Sequence, residues 1–192
     1  SRKRKNIRKE RASVRDAGVK MLALTGADIK PHHIDNFYDF YLSTIERKWG
    51  GAYLTRAFFD IIHTTMADRL LLVMASFDGN LIGGALNFIG LDTLYGRNWG
   101  ATKHIQNLHF EACYYQAIDF AISHKLSCVE AGAQGLHKVQ RGYLPITTYS
   151  AHWIQHDEFR AAIARFLSAE TDGLTDEQNQ IALLSPFKKS GQ

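Results

Sequence analysis

Apolar residues recur at steps of three and four through Ile34, Phe37, Tyr38, Tyr41, Ile45 and Trp49. That spacing predicts an amphipathic helix opening at Pro31 and running through Lys48, ended by Gly50 and Gly51. A further helix is expected from about Leu54 to Met66, with Phe58, Ile61, Ile62 and Met66 inward. Before them, residues 4–16 read as a helix of charged good formers, with Ile7, Arg11, Val14 and the aliphatic stem of Arg15 on one side and Gly18 as its stop. Val19 to Leu24 alternates as a short strand.

The period then changes. Leu70 to Phe77 is a buried apolar strand, Asp78 and Gly79 turn it, Leu81 to Ile89 returns, and Leu91 and Asp92 turn into Thr93 to Trp99. This predicts an antiparallel meander. Leu108 to His124 repeats Leu108, Ala112, Tyr115, Ile118 and Ile122 at helical spacing, and Ser127 to Ala131 follows as a short strand. A strand reached through one crossover helix is expected to run parallel to the strand before it. A short helix follows, with His137, Lys138 and Arg141 at helical steps; Thr147 to Ile154 reads as a last strand, Asp157 to Ala169 as a helix capped by Asp157, and the rest as a tail. The fold class is α/β (α+β), a mixed sheet with an antiparallel meander and flanking helices.

Charge changes this picture at one end. Seven cations among residues 1–11 stand against Glu10 alone, a net of +6, while the other 181 residues carry a net of −2. Such an end either contacts nucleic acid or an anionic surface, or is a solvated helix face. The composition, 45% hydrophobic and 22% charged, is that of a globular chain, and no apolar run is long enough to span a bilayer. Two cysteines, Cys113 and Cys128, form neither a disulfide framework nor a zinc set, and their apolar neighbours suggest buried, reduced thiols in a cytoplasmic protein.

Residues able to carry chemistry concentrate between Tyr95 and Tyr143. Tyr95, Arg97 and Trp99 lie at the end of one strand, His109 and Glu111 at the start of the next helix, and Glu130 at the end of the following strand. Gln134, His137, Lys138 and Arg141 come just after. Ligands bind at such strand ends in open α/β sheets. Amide formation needs a base to deprotonate the attacking amine and donors facing the oxyanion. His109, Glu111 and Glu130 are the candidate bases. Tyr95, Arg97, Trp99, Gln134, His137, Lys138 and Arg141 are candidates for substrate contact. Each has a plainer alternative, such as Glu130 pairing with Arg141 or Lys138.

A metal is not expected. His109 and Glu111 match the opening of a zinc-deaminase signature, but its Pro-Cys-x-x-Cys half is absent and residues two apart on a helix face apart. His152 and His156 straddle an element boundary, and His32 and His33 beside Pro31 suit a helix start.

The element order resembles that of the GCN5-related N-acetyltransferase (GNAT) fold. The strings Tyr95-Gly-Arg-Asn-Trp-Gly100, Leu108-His-Phe-Glu-Ala-Cys-Tyr-Tyr115 and Glu130-Ala-Gly-Ala-Gln-Gly-Leu-His-Lys138 resemble the FemAB-like branch of the FemABX and GNAT superfamily. That resemblance implies an N-acyltransferase acting on an amine or a peptidoglycan-precursor acceptor, with acyl-CoA or aminoacyl-tRNA as donor. It also implies that the chain corresponds to the second of two GNAT-like halves, with residues 1–18 as a connecting helix, 19–170 as the domain and 171–192 as a tail. The usual Gln/Arg-x-x-Gly-x-Gly/Ala pyrophosphate loop is not found between Gly96 and Leu108, so both donors stay open. A noncatalytic tRNA-binding or structural half is the alternative.

Overall fold

The computed structural model describes residues 2–46, 51–132 and 135–187. The chain forms two compact units, Ser1–Ala133 and Gln134–Gln192.

The first unit is built on one five-stranded sheet in the order β1-β2-β3-β4-β5, with β1 Lys20–Leu24, β2 Leu70–Phe77, β3 Asn80–Ile89, β4 Thr93–Ala101 and β5 Cys128–Glu130. The first four strands pair antiparallel and β5 pairs parallel to β4, as the single crossover requires. Asp78 and Gly79, both at positive φ, make the tight β2–β3 turn.

Each face of this sheet is covered by helices. On one face α2 (Pro31–Glu46) and α3 (Arg56–Met66) bury Ile34, Phe37, Phe40, Tyr41, Phe59 and Ile62 against Leu70, Leu72, Met74 and Leu86. Contact is close enough at β4 that a Cβ on Gly100 would lie 1.8 Å from the Phe40 carbonyl oxygen, so only glycine fits beneath α2. On the opposite face, Leu71, Val73, Ala85 and Leu94 pack on the crossover helix. Beside them Val14 and Val19 cover Ala75 and Ile82.

Helix α1 (Arg2–Asp16) ends where the sequence places its stop. Gly18, at φ 81°, donates to the Arg15 carbonyl, and Val19 donates to that of Val14. These are the two bonds of a Schellman motif, and Val14 and Val19 supply its apolar contact.

The crossover helix departs from simple periodicity. It begins as α4 (Leu108–Phe110), passes through a π turn over Glu111–Tyr115, in which Gln116 N–H reaches the Glu111 carbonyl, and continues as α5 (Gln116–Ser123). Its buried side therefore steps Leu108, Ala112, Ala117, Ala121, with one stride of five. Ile122, expected inward from an unbroken helix, is exposed as a result. In α3 the inward residues are Phe59 and Ile62, whereas Ile61 is exposed, a phase one residue away from the expectation.

The second unit holds the short helix α6 (Leu136–Val139) and α7 (Asp157–Ala182). The expected strand Thr147–Ile154 does not form: 143–154 is irregular, with Tyr149 and Trp153 largely exposed. Strand propensity without a neighbour to pair with does not make a strand. The terminal helix extends well past Ala169, its N-cap is His156 rather than Asp157, and His156 accepts from the Phe159 N–H at 3.3 Å. Cys113 is half-buried and Cys128 exposed, because β5 is a short outer strand, so the expectation of two core thiols is corrected. The expected helix end at Lys48, with Trp49, lies outside the described residues.

Candidate functional site

The sheet opens between β4 and β5. Their pairing runs Thr93 with Cys128, Leu94 with Val129 and Tyr95 with Glu130, and there it ends, although β4 continues to Ala101. One extra residue in β4 contributes to the parting. Leu86 of β3 faces Asn98 while Asn87 faces Gly96, so Arg97 is a bulge, and bulges bend and twist the strand that carries them. Gly96 stands at the fork, where a Cβ would lie 3.2 Å from the Glu130 carbonyl oxygen.

Tyr95 and Glu130 are thus neighbours across the last pair. Tyr95 is 43% exposed, Glu130 is half-buried, and the Glu130 carboxylate has no hydrogen bond or ion pair among the described residues. Arg97 is exposed on the bulge. Trp99, further along the open edge, meets the His109 ring edge to face at 5.5 Å, and His109 also packs on Tyr114 at 5.4 Å. His109 is held among aromatic rings.

Glu111 faces elsewhere, as its two-residue offset from His109 requires. It is 4% exposed and accepts from Arg11 Nε at 3.2 Å and Nη2 at 3.0 Å, and from Gln116 Nε2 at 2.8 Å. The same Arg11 reaches Asp119 at 2.6 Å. Burial alone would lower the Arg11 pKa, but hydrogen bonds to Asp119 and Glu111 outweigh it and raise it. The structure therefore brings Tyr95 together with Glu130, and Trp99 with His109, and directs Glu111 to α1.

In the second unit His137, Lys138 and Arg141 cluster on and just after α6, and Arg141 Nη1 donates to the His137 carbonyl at 2.9 Å. Partial desolvation, then the cations of Arg141 and Lys138, hold the His137 imidazole below its ordinary range. Gly135, at φ 103°, leaves room for the His137 ring, which a Cβ would meet at 2.5 Å. Gln134 lies outside the described residues.

Two polar residues that sequence reasoning did not single out border the fork. Asn87 is 1% exposed and donates to the Leu71 carbonyl at 3.2 Å; an asparagine in the otherwise apolar Leu81–Ile89 run was its signal. Asn98, next to the bulge, buries its Oδ1 without a hydrogen-bond partner among the described residues. Among those residues no group of three metal-ligating side chains forms, and no helix is long and apolar enough to cross a membrane.

A mixed sheet whose meander strand parts from a parallel neighbour, flanked by helices on both faces, defines the GNAT acyltransferase fold. An aminoglycoside acetyltransferase from an uncultured soil metagenomic sample, solved in complex with trehalose, shares it with a TM-score of 0.51 at 10% identity, over 73% of this chain and 99% of that one. A ribosomal-protein-alanine N-acetyltransferase from Brucella melitensis biovar Abortus 2308 aligns over 72% of this chain and 97% of its own at 13% identity, with a TM-score of 0.48. The chain belongs to the FemAB-like family, described by peptidoglycan biosynthesis and recognition, which matches residues 1–189. No curated protein matches it by sequence. Family and fold together class it with the N-acyltransferases.

Proposed function

We propose that this chain transfers an acyl group from an acyl-CoA donor to the amine of a peptidoglycan-related amino sugar or peptide, with the reacting carbonyl at the β4–β5 fork. The observation that carries the reading is the end of pairing at Tyr95 and Glu130 while β4 runs on with an open edge. That edge offers backbone N–H and C=O groups to an amide-bearing donor arm, as an added strand would use them.

Glu130, at the fork and without an ion-pair partner among the described residues, takes the proton of the attacking ammonium. The amine then forms the C–N bond, the carbonyl π electrons move to oxygen, and collapse of the tetrahedral adduct breaks the C–S bond, the expelled thiolate taking the surplus proton of the new amide nitrogen and leaving as the thiol. Donors facing that oxyanion stabilise the adduct. Tyr95, Arg97 and Trp99 line the open strand and contact the ligands; His109 orients Trp99. Glu111 serves by fixing the π turn through Arg11. His137, Lys138, Arg141 and Gln134 are proposed to bind acidic groups of the substrates.

The experiment is a thermal-shift titration with acetyl-CoA, followed by thiol release in the presence of a muramyl peptide bearing a free amine. Stabilisation by acetyl-CoA and amine-dependent thiol release support the reading. Stabilisation by aminoacyl-tRNA alone would move the donor to an aminoacyl ester, and no response to either would overturn it.

A further inference from the structure

Helix α1 carries the chain's basic excess, and the structure shows which side of it is used for packing. Ile7, Glu10, Arg11 and Val14 form the inner side: Val14 is 1% exposed, Glu10 accepts from the Tyr115 hydroxyl, and Arg11 holds Glu111 and Asp119. Arg11 is thus engaged in the docking. Arg2, Lys5, Arg8, Lys9 and Arg15 remain exposed on the same fixed helix. Arg15 meets Asp16 at 3.8 Å with both side chains exposed, a pairing of little worth.

Two of these cations also border a cavity. Between α1, the edge strand β1 and the π turn lies an open cleft of about 690 Å³, lined by Arg8 and Arg15, by the paired Arg11 and Glu111, and by Ala12, Met21 and the nearly buried Val14 and Val19. Seven residues of helix separate the two arginines, about 10 Å along the axis. β1 is the far edge of the sheet, three strands from β4, about 14 Å from the fork. The cleft shares Glu111 with the crossover helix but lies at the opposite edge of the sheet from the fork.

We propose that the α1 cleft docks the protein on an anionic phospholipid surface. Arg8 and Arg15 clasp headgroup phosphate, the half-buried Ala12 and Met21 meet the glycerol and upper acyl carbons, and Arg2, Lys5 and Lys9 add attraction from the surrounding lipids. Guanidinium forks match phosphate oxygens, and each cation near such a surface adds severalfold to affinity. Apolar side chains between arginines favour lipid over nucleic acid, which is bound without sequence preference by cationic grooves lined with aromatic stacking platforms; α1 contains no aromatic residue and none lines the cleft.

The test is flotation of the full chain with vesicles of phosphatidylcholine alone or with 30% phosphatidylglycerol, at about 100 mM and 500 mM salt. Binding only to the phosphatidylglycerol vesicles, lost at high salt, is expected. Arg8→Glu with Arg15→Glu should weaken it at least about tenfold with an unchanged melting temperature, and the milder Arg8→Gln with Arg15→Gln should weaken it less. Vesicle binding that is absent, indifferent to the arginines, or displaced by inorganic phosphate at matched ionic strength overturns the proposal. Tighter binding to poly(U) RNA than to the vesicles overturns it in favour of a nucleic acid.

Discussion

Arg11 clasps Glu111 through two hydrogen bonds, 3.2 and 3.0 Å long, across a separation of one hundred residues. The pair ties α1 to the π turn of the crossover helix. Glu111 is nearly inaccessible, so removing the guanidinium strands a buried carboxylate, whereas Glu111→Gln keeps a neutral acceptor for Arg11. Arg11→Ala is expected to cost about 2–3 kcal/mol, below the range for a fully buried pair because the arginine is partly exposed, and Glu111→Gln less. Urea unfolding at pH 7 measures both; equal, small losses would show that the pair does not fix α1.

A methyl group at position 100 has nowhere to go. The ideal Cβ would lie 1.8 Å from the Phe40 carbonyl oxygen and 2.9 Å from its own Cβ, and neither α2 nor β4 yields without loss of core contacts. Gly100→Ala should therefore destabilise the protein by about 3 kcal/mol or more, while Gly79→Ala, with no neighbour within 4 Å, should show only the smaller cost of its positive φ. Thermal melts of the two variants side by side make the comparison.

Low pH should weaken the start of α2 through His33. Burial first, then the charges of His32 and Lys30, with a smaller push from His63, hold its imidazole below 6.5, outweighing a bond involving Asp28 that acts the other way. Its Nδ1 accepts from the Lys30 N–H at 3.0 Å, which the protonated ring cannot do. The native state therefore binds fewer protons than the unfolded chain between the depressed pKa and 6.5. Stability is full above 6.5 and falls as pH drops through the folded value. Urea midpoints between pH 7.5 and 5 should decline in the wild type and decline less in His33→Asn. A lack of any difference would place the pH response elsewhere.

The sheet was legible in the sequence because its strands are bounded by local signals: the Asp78-Gly79 turn, the turn at Leu91 and Asp92, and one crossover helix that dictates a parallel β5. The π turn was not, because Leu108, Ala112 and Tyr115 fit an α-helix equally well until the side chains beyond them are placed. Thr147–Ile154 had strand composition, yet pairing depends on a neighbour that no local pattern encodes. Of the site, the adjacency of the strands carrying Tyr95 and Glu130 followed from strand order, while their pairing is a matter of register. The bulge at Arg97, which helps open the strands, did not, since one residue of register slip leaves no mark in composition.

The remaining prediction bears on the proposed chemistry. Glu130 lies where β4 and β5 part, half-buried and without a hydrogen bond or ion pair among the described residues, so neutralising it removes no protein contact seen there. Glu130→Gln preserves shape and removes only the proton acceptor. Acyl transfer should fall by about 10²-fold or more, with the melting temperature and acetyl-CoA binding unchanged. Lys138→Ala should instead raise KM for an acidic acceptor with a smaller effect on kcat, as loss of a binding cation does, and should move the His137 imidazole upward by removing one of its neighbouring charges. Steady-state kinetics, calorimetric melts and an NMR titration of His137 separate these effects. A Glu130→Gln enzyme with full activity would remove Glu130 as the base, and parallel loss of activity and stability would make it a structural residue at the fork.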